Sequence, residues 1–293
     1  MSALLFAPLV LVALGLLASW FLPRVAGPSA CVRALTATSL LVGAGAAIGL
    51  ALLVLTMSLN VDLLAGFVGW CRALYPADHG VAAWVGPVAG AAMVAAVVRC
   101  GRYLRRAHRD VTSFGTVEGV SVVRAAGPVA FAVPGRPGGV ILGDQLLAAL
   151  EPDERRVVLA HEQAHLDHHH HRYVRIAEAS AAAFPFLSPL ARQVRFNTER
   201  WADEAAAALV GSRATAARTI AKVALFGEPE GSTNLAFGNL GTAARVDALL
   251  RPPVSSAPSM AAAASVLTIL TPLTGSSVQV HHLAVFLAHA CPI

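Results

Sequence analysis

The chain has 293 residues, 56% of them hydrophobic and only 13% charged, where a soluble domain carries about 25% charged residues. With a mean hydropathy of +0.63, this excludes a single water-soluble globule, a disordered chain and a fibrous protein, and fits an integral membrane protein with one polar domain. The net charge of +5 does not make a nucleic-acid-binding face, because Lys222 is the only lysine and the densest arginine cluster adjoins an apolar segment.

Four stretches are apolar enough to span a bilayer, which takes about 20 residues. They run over about 3–22, 35–57 and 81–98, and from about Met260 into Ser277. The first has no basic leader, which argues against a cleaved secretory signal. Arg24 and Arg33 flank the first connection. Arg99, Arg102, Arg105, Arg106 and Arg109 follow the third span. The positive-inside rule then predicts a multi-pass protein of the cell membrane, with both termini outside and the stretch after Arg99 in the cytoplasm. The predicted division is three spans in 1–98, a cytoplasmic domain over 99–258, and a fourth span with a short tail over 259–293. Cys31, Cys71, Cys100 and Cys291 are too scattered for a disulfide framework or a thiolate metal site.

Within the cytoplasmic stretch, short Val/Ala/Phe-rich runs predict strands at 119–124 and 129–133, with a third resuming at 140–142 after a Pro/Gly-dense turn. The rest reads as helices. Pro152 suits the first turn of one, and others cover about 194–210 and 215–225. A loop is expected over 227–241. The stretch 184–190 is apolar but broken by Pro185 and Pro189, and is expected to pack against the bilayer or the domain rather than to span.

The helix after Pro152 carries His161-Glu162-Gln163-Ala164-His165, an HExxH pattern. Residues four apart lie on one helix face, so both imidazoles can aim at one ion, while Glu162 can touch a water bound there. Zinc held by two His and a carboxylate keeps a position for water, whose pKa falls to about 7. Glu162 is the candidate general base and proton shuttle.

Two residues compete as third ligand. His171 would complete HExxHxxHxxH, but His168 stands where that arrangement needs a glycine to break the helix. Glu199, in Glu199-Arg200-Trp201-Ala202-Asp203, is favoured. Asp203, one turn on, can accept a ring N–H from a ligand His. The run His168–His171 reads as an exposed polar helix end, with His168 the member that continues the metal-facing side. Arg245 is a candidate oxyanion donor, set against a purely structural ion pair. The edge formed by Val129, Ala130, Phe131, Ala132 and Val133 is expected to take substrate as an added strand. Trp201 is expected to pack.

These residues resemble a known family. Phe131-Ala132-Val133-Pro134-Gly135, Gly139-Val140-Ile141-Leu142 and Leu159-Ala160-His161-Glu162 resemble the approach to the motif in membrane-bound gluzincin peptidases. Phe186-Leu187-Ser188-Pro189-Leu190 leading to Glu199-Arg200-Trp201-Ala202-Asp203, and Arg245-Val246-Asp247-Ala248-Leu249-Leu250, resemble the BlaR/MecR-type integral-membrane zinc peptidases. The resemblance spans about 120–251. It implies a multi-pass α-helical membrane protein with an α+β zincin-like cytoplasmic domain, built from a small sheet, an HExxH helix and an ExxxD helix. It also implies one zinc ion per chain and a BlaI-like repressor as protein substrate. HtpX-type and CAAX-prenyl-protease relatives share the ligand pattern and a membrane quality-control role is the alternative. A non-catalytic membrane metal-binding or transport protein is a further one, but it predicts charged or His residues inside the spans, and the first three have essentially none. SxxK and KTG motifs of a penicillin-sensing domain are not found after the fourth predicted span.

Overall fold

The structure is a computed structural model, and it describes residues 13, 17, 20–24, 26–58, 84–125, 127, 129–226 and 235–252. The fourth predicted span, most of the first, and the connection between the second and third lie outside these residues.

After a helical stretch at 20–24 come two long helices, α1 (Pro28–Ser58) and α2 (Val85–Ser113). Within them, Pro28–Ala51 and Val85–Ser113 are long and apolar enough to cross a membrane. Both exceed the predicted limits. α1 begins seven residues before the expected span, and α2 continues as one helix through the whole arginine run. At 1.5 Å per residue α1 is about 46 Å long, well beyond a hydrocarbon core of about 30 Å.

The extra length has a packing reason. Cys31, Val32, Ala34, Leu35 and Val42 of α1 are buried in one apolar cluster with residues of α5 (His170–Ala183) and α6 (Ser188–Val210). Two of the buried polar side chains of α1 are satisfied within the helix: Thr38 Oγ1 donates to Ala34 O at 2.9 Å and Ser39 Oγ to Leu35 O at 2.9 Å. The apolar core therefore crosses the boundary at residue 98/99 that the sequence suggested between spans and domain. Leu187 and Leu190, at the α5–α6 turn, are buried in the same cluster, while Phe186 is exposed. Arg99 of α2 donates to Ala182 O at 3.1 Å and Ala183 O at 3.0 Å, capping the last carbonyls of α5.

Three strands follow α2: β1 (Gly119–Val123), β2 (Ala130–Val133) and β3 (Gly139–Gly143). All lie where the sequence placed them. The sheet order is β1-β3-β2, with β1 parallel and β2 antiparallel to β3. β3 is buried throughout and β2 is an edge. Gly139 is required at the β1–β3 junction, because a Cβ there would lie 2.7 Å from Gly119 O.

The short α3 (Asp144–Ala149) leads to α4 (Pro152–Asp167), which carries the HExxH residues. Pro152 occupies the first turn as expected, and Glu154 reaches back to accept the Glu151 N–H at 2.9 Å, a capping box that fixes where the helix begins. α4 buries Val157 against α7 (Arg213–Phe226) and Val158 against β3 and α3. α6 ends at Gly211, whose φ of 74° closes the helix in the left-handed conformation. The final α8 (Leu235–Leu250) corrects one expectation: residues 235–241, read as loop from their glycines, are helical, and Leu249 of the same helix is buried against α7. The loop expected at 227–234 lies outside the described residues.

Candidate metal centre and active site

α4 and α6 bring the three candidate ligands together. His161 Nε2 lies 3.2 Å from His165 Nε2 and 3.5 Å from Glu199 Oε2, and His165 Nε2 lies 3.7 Å from Glu199 Oε1. These three residues form the group suited to a metal among the described residues. Ligand atoms at about 2.0–2.1 Å from a tetrahedral zinc stand about 3.3 Å apart, so the observed separations fit that ion. The two Nε2 atoms face each other at 3.2 Å, close enough to share one N–H or to hold one cation between them. His171, the rival ligand, is not part of this group.

The far side of His161 meets Asp203, whose Oδ1 is 3.0 Å from Nδ1. Asp203 is buried and held by Arg245, with Nε to Oδ2 at 2.8 Å and Nη2 to Oδ1 at 2.7 Å. Arg245 Nη1 also lies 3.2 Å from Glu199 Oε2. Arg245 thus sits beside the site with its donors turned to two carboxylates, which is the ion-pair arrangement that the sequence reading set against an oxyanion role.

The charges follow from this geometry. Burial opposes the charge on His161, but Asp203 and Glu199 raise its pKa to about 10. Burial and the charge on His161 lower His165 to about 4. Burial opposes ionisation of Glu199, yet His161, His165 and Arg245 hold it at about 2. Without a metal, the one positive charge of the pair therefore sits on His161, and His165 is neutral. Glu162 is buried, and burial raises its pKa above the ordinary carboxylate value.

β2 lies across α4 and closes one side of a cleft of about 380 Å³, lined among others by Ala130, Phe131, Ala132, His161, Glu162 and Glu199. The Ala132 N–H bonds to Glu162. Val129 and Val133 flank this edge, with Val133 buried and Val129 O accepting from Gly143 N–H at 2.7 Å.

The His run is resolved differently from the expectation. α4 stops at Asp167, and His169 takes the left-handed conformation at φ 52°, a break made without glycine. His168 and His169 are exposed, as a polar helix end should be, but His170 is only 1% exposed. His168 stacks on Trp201 at 4.6 Å between ring centroids and does not reach the ligand group. His170, not His168, touches a ligand, with Nδ1 3.1 Å from His165 Nδ1. Only a run of adjacent histidines marked it in the sequence. Trp201 packs against His168, His170 and Arg33.

The family model of Peptidase family M48 matches residues 105–187, a stretch that holds the sheet, α4 and α5. Glu199, Asp203 and Arg245 lie beyond the match, and it is the fold that brings them to the HExxH helix. No curated protein and no solved structure shows significant similarity to the chain. The match covers less than a third of the chain, so it is residues 105–187 that are similar to peptidase family M48; with this similarity and a His-His-Glu group suited to zinc, the chain is a zinc metalloendopeptidase.

Proposed function

We propose that the chain is an integral-membrane endopeptidase that draws an extended protein segment onto β2 and cuts it at the His161/His165/Glu199 centre. The observation that carries this reading is the convergence of a sheet edge unpaired among the described residues, a buried carboxylate and a metal-suited donor set in one cleft. In an antiparallel pair, alternate residues turn their backbone groups to the partner strand. Val129 O pairs with Gly143, so Ala130 and Ala132 direct theirs outward, toward the cleft. The Ala132 N–H orients Glu162, leaving the groups of Ala130 for substrate backbone.

A bound zinc ion would polarise the scissile carbonyl and the attacking water. Glu162 accepts a proton from that water and returns it to the leaving amine, a task suited to a carboxylate whose pKa burial has raised. Asp203 holds His161 in place, and Arg245 holds both Asp203 and Glu199. Its bidentate grip supports a positioning role.

The two apolar helices support residence in a membrane, and the five arginines along α2 support a cytoplasmic cleft. The resemblance to BlaR/MecR-type peptidases supports regulatory cleavage of a repressor. Edge pairing through small alanines reads backbone rather than side chains, which favours membrane quality control as the second reading. Co-expression with a BlaI-like repressor or with a misfolded membrane protein separates the two. In either case Glu162→Gln should keep stoichiometric zinc and lose cleavage. A variant that still cuts, or a purified wild type without zinc, refutes the proposal.

A further inference from the structure

We infer that His170 is a positioning residue for the metal site: it holds His165 in the tautomer that turns a free Nε2 toward the ion. This rests on the proposed zinc centre and adds to it a residue that the HExxH and ExxxD patterns do not contain.

The two ligand histidines each expose one nitrogen to the donor group and one to the protein behind. For His161 the protein side is the Asp203 carboxylate, 3.0 Å from Nδ1. For His165 it is another imidazole, with Nδ1 of His170 3.1 Å from Nδ1 of His165. Two ring nitrogens at that distance share one proton: one carries N–H and the other offers its lone pair. If His165 binds a metal through Nε2, its own proton sits on Nδ1, and His170 Nδ1 accepts it. The His170 proton is then on Nε2, an atom that is buried and has no hydrogen-bond partner among the described residues. A buried imidazole with one end unsatisfied is a loss that a merely packed position would avoid with an apolar residue.

The backbone explains how His170 reaches that place. The left-handed turn at His169 ends α4 and reverses the chain, so the first residue of α5 faces back onto the last turn of α4. Trp201 of α6 packs against its ring at 4.7 Å between centroids, and Arg33 of α1 lies over the same indole at 5.2 Å. The support of His165 therefore runs back into α1.

The test uses the full chain in detergent, read by zinc competition against a chromophoric chelator and by the visible absorption of the cobalt(II)-substituted protein. Asn places an acceptor at the δ position, and Gln places it one carbon further out. His170→Asn should keep zinc affinity close to wild type and leave the cobalt bands in place. His170→Gln should lose about 10- to 100-fold in affinity, as removal of an outer hydrogen-bond partner does, and shift the bands. Equal affinities for the two variants, whether both retained or both lost, overturn the inference. A wild-type chain that takes up no zinc overturns the metal assignment, and this inference with it.

Discussion

Arg245 grips both oxygens of Asp203, at 2.8 and 2.7 Å, across the space between α8 and α6. Asp203 is 1% exposed, so its charge is compensated inside the protein and not by water. Taking away one member of such a buried pair strands the other charge and costs about 3–5 kcal/mol. Arg245→Met should therefore lower the thermal midpoint of the full chain and weaken zinc binding. Asp203→Asn with Arg245→Met together should recover part of the lost stability, measured by thermal unfolding in detergent. An oxyanion contribution from Arg245 would show separately, as a fall in kcat for Arg245→Lys with zinc content unchanged.

The edge strand gives a second expectation. Proline is tolerated on an edge where its missing N–H faced away from the sheet. Ala130→Pro should leave the fold and the zinc content intact while removing one outward donor from the substrate path. The loss of one or two backbone hydrogen bonds corresponds to about 10-fold in kcat/KM. It should appear in KM when peptide hydrolysis is measured over a range of concentrations.

Lys222 lies 2.6 Å from Glu154 and ties α7 to the first turn of α4. Hydrogen bonds from Lys222 and from the Glu151 backbone lower the Glu154 pKa from 4.5. A lowered carboxylate pKa contributes stability above the unfolded value, and loses it as the pH falls through the folded one. The wild type should thus lose stability below about pH 4.5 more steeply than Lys222→Met. Thermal midpoints recorded from pH 3 to 7 give the comparison, and parallel curves for the two proteins would contradict it.

Leu35 of α1 is fully buried among α5 and α6, while Leu40 is more than half exposed. Leu35→Ala should destabilise the chain by about 2–5 kcal/mol, as in other buried leucine truncations. Leu40→Ala should stay close to wild type when both are unfolded in the same detergent.

Much of the site was legible because its signals are local. Residues 161, 162 and 165 owe their relation to one helix turn, and residues 199 and 203 to another. Pro152 announced where α4 begins, and the short Val-rich runs announced the three strands. The less legible parts depend on what a helix packs against. An apolar run such as 28–51 reads the same whether lipid or protein covers it, so the burial of Cys31 to Val42 against α5 and α6 carried no mark in the sequence. His170 was hidden because the turn that aims it uses a histidine at positive φ, where a glycine would have been the cue. The start of α8 was hidden for the opposite reason: glycines that suggested a loop are accommodated in a helix.

Because Leu35 and its neighbours close over Leu190 and Val194, a fragment cut at residue 99 to obtain a water-soluble enzyme would be left with a bare greasy flank on the two helices that hold Glu199 and His170. Such a fragment would clump or lose its shape before any assay began. The amino-terminal helices are part of the enzyme's own interior, and purification has to carry them along.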